Sequence, residues 1–600
     1  MKTTVCFVGK NPEQNRFDLE PVEAIVGEKL SELLPRVGRK LASDCGGRGV
    51  CRKCRLSIAR LPNGWSDTMP TASALSLDTL RETYSFEEVL ACQTVVSEPL
   101  LVLLPDEFRS RGASEQILLD TTPKDRYRPD THRHTLADSA RRLLHHAEPQ
   151  TTGSSGRYGA AVDLGTTTLV VALVDLKNQT VVARAAAKNP QILFGSDVIS
   201  RIERAGRSPE SLAVLQKTVL SQIASLLETV AEQGHISPDR IERMTVAGNT
   251  VMEYLFLGLD PAPLGRTPFV PPVTLFEPVA AETLDLPIAA KAPVTVFPVL
   301  TGFIGGDLVA GLLALRKIGR RRWFSRPELL IDIGTNGEML LLCNGKIYAA
   351  STAAGPVFEG AHIRFGTFAA TGAIEGVHFS PVPYWEQGLF AKVLKRSVPQ
   401  IQIKTIGNAP ATGICGSGLV DSVAELLRLE LMTPNGRILS ADRAIGKKER
   451  GRLGEFENQR AFLLAGQAQL APAIWLTQND VRQVQLAVGA IRAGVEFLLK
   501  KANITFDQVH RLNLAGGFGN YLRRENAQRI GLLPPEIPTQ RMVYCGNTSL
   551  LGAVELLCYP KKFRQTADCR NQAVHIELEN EPLFAERFAQ AMVFPENFPG

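Results

Sequence analysis

One design occurs twice in this chain. Residues 158–171 read as a buried strand, an Asp163-Leu164-Gly165-Thr166-Thr167 turn and a second apolar strand. Residues 329–340 repeat it around Asp332-Ile333-Gly334-Thr335-Asn336. A second pair of segments, 236–248 and 504–516, also matches, from Ile-Ser/Thr at the start to Ala-Gly at the end. Each follows a long stretch, 212–231 and 481–500, whose apolar residues recur at helical spacing. Two related α/β halves, 157–326 and 327–600, the second enlarged by insertion, are the simplest architecture.

An Asp-x-Gly-Thr turn between two strands has a physical role. Its glycine lets backbone approach a phosphate, its threonine hydroxyls and N–H groups donate to phosphate oxygens, and its aspartate holds Mg²⁺ or a water on it. Found once, such a turn is explained by local turn preferences. Found twice, and followed by Leu514-Ala515-Gly516-Gly517-Phe518-Gly519, it points to a nucleotide. Gly413-Ile414-Cys415-Gly416-Ser417-Gly418 opens a helical stretch at 419–429, where Gly416 and Ser417 either present N–H groups to phosphate or simply cap the helix. Gly248-Asn249-Thr250 and Gly546-Asn547-Thr548 start further helices in matching places, and connecting turns explain them without a ligand.

The N-terminal region carries different chemistry. Cys45, Cys51, Cys54 and Cys92 have the spacing C-x5-C-x2-C-x37-C, the first three in a glycine-rich loop. Three thiolates in one loop and a distant fourth suit a 2Fe–2S cluster. A structural zinc site usually brings two C-x2-C pairs, and here there is one. Residues 1–105 mix short strands with one helical stretch at 28–34, and 100–104 reads as a closing strand. From 106 to 156, Asp, Arg, His and Pro accumulate and end in Gly153-Ser154-Ser155-Gly156, as a linker does. His132, His134, His145 and His146 in it have no cysteine or paired carboxylates nearby and read as surface residues. The spare cysteines (Cys6, Cys343, Cys415, Cys545, Cys558, Cys569) lack ligand spacing and read as reduced thiols.

These segments resemble known families. The cysteine loop is similar to 2Fe–2S ferredoxins of the adrenodoxin type, which implies a β-grasp fold for 1–105. The paired turns resemble the superfamily of actin, hexokinase, acetate kinase and the heat-shock chaperones, where two phosphate loops face each other across a cleft. That resemblance makes Asp163, Gly165, Thr166 and Thr167 the first loop and Asp332, Gly334, Thr335 and Asn336 the second, with Gly516 and Gly517 flanking the adenosine of ATP. The fold expected is therefore an α+β ferredoxin domain followed by a duplicated α/β ATPase domain. A ferredoxin segment joined to this nucleotide fold, with Asn189-Pro190-Gln191, the run 194–202, the run 354–361 and Ala515-Gly516-Gly517-Phe518-Gly519, resembles the reductive activators of corrinoid proteins over residues 1–100 and 157–600. The stretch between the cluster segment and Tyr158 is shorter than in the acetogen-type activators, so their dimer contact is not carried over.

That last resemblance implies a reaction. Members use ATP to drive reduction of cob(II)alamin, on a partner corrinoid protein of a methyltransferase system, to the cob(I)alamin nucleophile. An external donor, a ferredoxin, flavodoxin or reductase, supplies the electron, and a homodimer is left open. Ferredoxin-type clusters lie near roughly −400 mV, and Co(I) demands a very strong reductant. Three alternatives differ in class. A radical-dehydratase activator would carry a bridging 4Fe–4S cluster, for which the isolated Cys415 offers no partner. A small-molecule kinase with an accessory ferredoxin domain shares the nucleotide fold. A corrinoid carrier needs Asp-x-His-x-x-Gly, whereas the run from Asp130 through His132 ends in Thr135.

Composition sets the outer bounds. The chain has 600 residues, 44% hydrophobic and 21% charged, which is ordinary for a globular protein. A net charge of +6 is small for this size and does not argue for nucleic acid. The start lacks the apolar core of a signal peptide, and no run approaches the ~20 apolar residues of a membrane span. A cytoplasmic protein without membrane or nucleic-acid partners is the expectation.

Overall fold

Two six-stranded sheets organise most of the molecule. The first contains β6 (Tyr158–Leu164), β7 (Thr168–Asp175), β8 (Thr180–Lys188), β9 (Ile241–Gly248), β10 (Val279–Ala280) and β11 (Pro293–Val296) in the order β10-β11-β9-β6-β7-β8. The second contains β12 (Glu328–Ile333), β13 (Gly337–Cys343), β14 (Lys346–Thr352), β21 (Arg511–Ala515), β22 (Met542–Gly546) and β23 (Ala573–His575) in the order β22-β21-β12-β13-β14-β23. In each, the first three strands form an antiparallel meander, and the opening strand also pairs in parallel with a later one, β6 with β9 and β12 with β21. A further parallel strand, β11 or β22, extends each sheet at the same edge.

The computed structural model describes residues 2–11, 16–37, 55–61, 80, 83–104, 157–195, 197–315, 326–334, 336–352, 354–382, 398–444, 451–466, 473–516 and 522–596. One compact unit holds the described residues up to 104 together with 191–195, and the other holds 157–190 and the chain from 197 onward.

Long helices feed the parallel strands of both large sheets. Pro209–Gln233 precedes β9, opened by Ser208, whose Oγ accepts from Ser211 N–H, and by proline at the first helical position. Gln478–Ala502 precedes β21, opened by a reciprocal Thr477–Asp480 capping box and closed by Asn503 at φ 54°. Both helices overrun the 212–231 and 481–500 stretches by a few residues because their caps lie outside the apolar repeat. The two Gly-Asn-Thr turns correct an expectation. The first follows β9 and the second follows β22, so they are not equivalent places in the repeat. Asparagine recurs because any parallel strand that turns directly into a helix needs a side-chain acceptor for its first amides.

Two helices join the sheets. Gly306–Ala314, after β11, and Thr548–Cys558, after β22, share one apolar core with Val170, Ala172 and Val174 of the first sheet and Leu330, Leu340 and Leu342 of the second. They approach closely, because a Cβ on Gly552 would lie 2.0 Å from the Ala310 carbonyl oxygen. Thr245 Oγ1 of β9 donates to the Ala553 carbonyl of the second helix at 2.8 Å. The insertion expected in the second half is present as two three-stranded sheets. One contains β15 (Ala373–Val382), β16 (Val398–Thr405) and β17 (Gly413–Ile414); the other contains β18 (Leu453–Phe456), β19 (Gln459–Ala465) and β20 (Ile474–Thr477).

The N-terminal unit contains β1 (Lys2–Asn11), β2 (Arg16–Ile25), β3 (Arg55–Arg60), β4 (Glu87–Leu90) and β5 (Leu100–Leu103) in the order β2-β1-β5-β3-β4. β1 pairs antiparallel with β2 and parallel with β5. Alternation along β1 sends Val5 and Phe7 to one core, with Leu30, Leu33 and Cys92, and Cys6 and Val8 to another, with Leu61 and Leu80. Both faces of the central strands are covered, so all of β5 is buried. The helix in 28–34 is one turn, Leu30–Leu33, continued as 3₁₀ to Val37. Among the described residues no helix is long and apolar enough to cross a membrane.

Candidate functional site

A cavity of about 250 Å³ lies at the ends of the strands of the two large sheets. The first sheet contributes Asp163 near the end of β6 and Gly165, Thr166 and Thr167 from the turn into β7. The second contributes Asp332 near the end of β12, and Gly334 and Asn336 from the turn into β13. Gly516, at the end of β21, completes that side. Gly416 and Ser417 reach the same cavity from the start of the Gly416–Arg428 helix, which begins before the expected 419. Thus Asp163, Asp332, Gly165, Thr166, Thr167, Gly334, Asn336, Gly416, Ser417 and Gly516 are brought together. Thr335 and Gly517 lie outside the described residues, as do Cys45, Cys51, Cys54 and the 105–156 segment.

The glycines occupy unlike positions. A Cβ on Gly165 would lie 2.4 Å from the Thr168 carbonyl oxygen, so the turn itself requires glycine. Gly516 has φ 90°, and a Cβ there would meet Asp332 Oδ1 at 2.7 Å. Gly334 is different, since a Cβ would find nothing closer than 3.9 Å. Ser417 does not cap its helix; its Oγ donates to the Glu375 carbonyl at 2.8 Å, and the N-cap residue Cys415 makes no side-chain cap bond. The Cys415 thiol is buried and donates to the Ile374 carbonyl at 3.2 Å.

Several lining residues went unremarked or undervalued in the sequence. Asp307 stands in the first turn of the Gly306–Ala314 helix, signalled only by Gly305-Gly306-Asp307 before an apolar run. Glu338 on β13 faces Asp332 across the hairpin, which the four residues between Ile333 and Glu338 would have placed. Asn249 and Asn547 cap helices, accepting from Met252 and Leu550 N–H, and also reach the cavity. Asn249 Nδ2 donates to Thr166 Oγ1 at 2.8 Å, and Asn547 Nδ2 donates to Asp163 Oδ2 at 2.6 Å. Phe358, Phe368 and Ile406 give the cavity an apolar side, and Lys188 Nζ lies 4.0 Å from the centre of the Phe368 ring.

Six carboxyl groups therefore line the cavity, those of Asp163, Asp307, Asp332, Glu338, Glu359 and Glu375, and no lysine or arginine is among its described lining residues. Loss of water raises the first four. Asp332 is pushed up to about 7 by burial, then by Asp307 and Asp163. Asp307 is also pushed up to about 7 by burial, with backbone N–H donors opposing and Asp163 adding to the shift. Glu338 goes well above its ordinary value through burial and then the charges of Asp307 and Asp332. Asp163 is raised by burial, against donation from Asn547. Raised in this way the groups are relieved by protons, and although hard carboxylate oxygens are the donors Mg²⁺ favours, no three of the described acidic, histidine or cysteine residues are grouped so as to hold a metal ion by themselves.

In the N-terminal unit, Cys92 is buried in the turn after β4, 3.9 Å from Gln93 Nε2. Cys6 belongs to the core on the other face of its sheet, its thiol pushed up to about 12 by burial. The spare cysteines Cys343, Cys415, Cys545 and Cys569 are likewise buried, and Cys558 is partly so.

Comparison with known proteins matches two stretches. Residues 158–317 fit the model described as the RACo middle region, and 326–599 fit the C-terminal domain of RACo, the ASKHA domain. The chain thus has the actin/hexokinase-like ATPase fold. It is 30% identical to the corrinoid activation enzyme RamQ of Eubacterium limosum, over 96% of this chain and 98% of that one. It is 26% identical to the Co(II) methylated amine-specific corrinoid protein reductase of Methanosarcina barkeri, over 67% of this chain and 70% of that one. A solved reductive activator for a corrinoid, iron–sulfur protein aligns with a TM-score of 0.65 and 28% identity, covering 99% of this chain and 98% of its own.

Proposed function

The chain belongs to the family of reductive activators of corrinoid proteins, and from that premise we propose that it uses ATP to return a corrinoid partner from cob(II)alamin to cob(I)alamin, drawing the electron from a 2Fe–2S cluster held by Cys45, Cys51, Cys54 and Cys92. It is an ATP-dependent reductase, with a corrinoid protein as its partner. The observation that carries the finer reading is the meeting of Asp163 and Asp332, each beside its own glycine turn, in one cavity. The order shared by five strands of each large sheet, β11-β9-β6-β7-β8 and β22-β21-β12-β13-β14, supports a duplicated α/β ATPase domain, and the mixed sheet of residues 2–103 suits a β-grasp ferredoxin domain.

The donor chemistry suits both groups. An all-sulfur donor set suits an iron–sulfur cluster, and Cys92 sits on a turn fixed by the Gln93 and Thr94 N–H bonds to Leu90 O. When bound, the cluster supplies a one-electron store at low potential. At the other site Asp163 and Asp332 would hold Mg²⁺, the 165–167 and 334–336 turns would bind phosphate, and the start of the Gly416–Arg428 helix would add its amides. Gly334 supports this, because open space beside it is what a ligand needs to approach the backbone. Asp307, at a helix start and near pH 7 in its proton affinity, is suited to take a proton from attacking water. Gly516 and Gly517 flank the adenosine. An external ferredoxin, flavodoxin or reductase reloads the cluster.

The test uses full-length protein, a corrinoid partner, a chemical donor and Mg-ATP, following loss of the Co(II) signal. Reduction should require ATP and vanish in Cys54→Ser, while ATP hydrolysis persists in that variant. ATP-independent reduction, or undiminished Co(I) formation by Cys54→Ser, would sink the proposal.

A further inference from the structure

We infer that Arg201 is a positioning residue for the Gly165–Thr167 turn, holding it from behind so that its amides face the phosphates of the nucleotide. The inference rests on the phosphate-turn reading above and adds to it a residue outside the cavity. Arg201 lies on the Val198–Ala205 helix and is fully buried. Its Nη2 donates to the Thr166 carbonyl at 2.7 Å, and its Nη1 lies 3.0 Å from Met252 Sδ.

Arg201 does not act alone. Asn189 Nδ2 donates to the Gly165 carbonyl at 3.0 Å, and Asn189 N–H donates to the Thr167 carbonyl at 2.8 Å. Three consecutive carbonyls, those of residues 165, 166 and 167, are therefore drawn to the protein side by two buried residues. A trans peptide sets N–H opposite C=O, so the amides of Thr166 and Thr167 turn toward the cavity those residues line. Asn249 then fixes the Thr166 hydroxyl.

The choice of arginine is informative. Burying a guanidinium carries a large desolvation cost, and an apolar side chain of similar volume would fill the same space without it. Burial lowers its proton affinity to about 9, which still leaves it charged at neutral pH. The positive end of the Thr166 peptide, strengthened by a cation on its carbonyl, is what an anion in the cavity meets. The charge that acts on Arg201 is that of Asp197, outside the cavity lining, so the guanidinium does not take up Asp163 or Asp332.

The experiment measures the affinities of full-length Arg201→Met and Arg201→Lys for Mg-ATP and for adenosine, with thermal unfolding as the check on folding. Loss of a charge-assisted bond should weaken Mg-ATP about tenfold or more in Arg201→Met, with adenosine unchanged. Arg201→Lys keeps the charge but not the fork, and should lose about threefold. Mg-ATP and adenosine weakening together would mean a merely structural role and overturn the inference, as would unchanged Mg-ATP affinity. If Arg201→Met does not fold, Arg201→Lys decides, and an unchanged ratio of the two affinities overturns it. Thr166→Val and Asp163→Asn separate the two readings. If neither affects Mg-ATP, the phosphate-turn reading fails; if both do and Arg201 variants do not, only the role of Arg201 fails.

Discussion

The two large sheets share the order of five strands and have two different turns. In the first, Gly165 is demanded by its own backbone, and Asn189, Arg201 and Asn249 grip the turn from outside it. In the second, a Cβ on Gly334 would meet no obstacle among the described residues, and the described bonds are local: Gly334 N–H to Asn336 O at 3.1 Å and Asn336 Nδ2 to Glu338 Oε1 at 3.4 Å. The carboxylates differ in the same sense. Asp163 is relieved by Asn547, whereas Asp332 faces acidic neighbours. Equal topology therefore leaves room for a braced half and a half that depends on what enters the cavity. In a nucleotide-driven cycle the first suits a fixed platform and the second a responsive one.

The largest expected effect tests whether both halves are needed. Asp163→Asn and Asp332→Asn should each reduce ATP hydrolysis by roughly 100-fold or more, because either change removes charge from the metal site. The visible spectrum of the cluster should be unchanged in both. Steady-state hydrolysis near the native rate in one variant would make that half dispensable and end the two-sided reading of the cavity.

A smaller effect separates the two glycines. Gly165→Ala drives a Cβ against the Thr168 carbonyl and should cost about 1–3 kcal/mol of stability together with nucleotide affinity. Gly334→Ala has space in the protein, so its melting temperature should stay native while Mg-ATP binding weakens. Melting curves and titrations on the same samples decide this. Equal destabilisation by the two alanines would erase the contrast between braced and open turns.

Much of this was legible, for uneven reasons. Asp163 and Asp332 could be read because a turn's chemistry is local and was written twice. The four-cysteine ligand set stays a reading from spacing, because Cys45, Cys51 and Cys54 lie outside the described residues. Asp307 was not read because it reaches the cavity through helix placement over a long sequence distance, whereas Glu338, across one hairpin from Asp332, was open to reading from strand alternation and was missed. The Gly-Asn-Thr turns misled for the opposite reason: a shared local need for a helix cap looked like a shared place in the repeat. Arg201 left a signal in its own helix, a charge on the face otherwise made by Val198, Ile202 and Ala205.

The smallest effect is a difference in pH response between the two halves. In the metal-free protein Asp332 titrates about 7, against an ordinary 3.8. The folded chain therefore keeps a proton that the unfolded chain releases between about pH 4 and 7. Stability from this group is present in acid and is lost as pH rises through that window, with a slope of at most about 1.4 kcal/mol per pH unit. Asp332→Asn cannot titrate, so its stability should gain on the native protein as pH rises from 5 to 8. Asp163→Asn should gain less, since the Asn547 donor already favours its charged form. Mg²⁺ needs the charged carboxylates, so the affinity of the native protein for Mg-ADP should increase through pH 7 while its metal-free stability falls. Melting temperatures of the three proteins from pH 5 to 8, with and without Mg-ADP, test the comparison. Parallel curves for Asp163→Asn and Asp332→Asn would mean that the two carboxylates share one environment, and the asymmetry drawn between the halves would not hold.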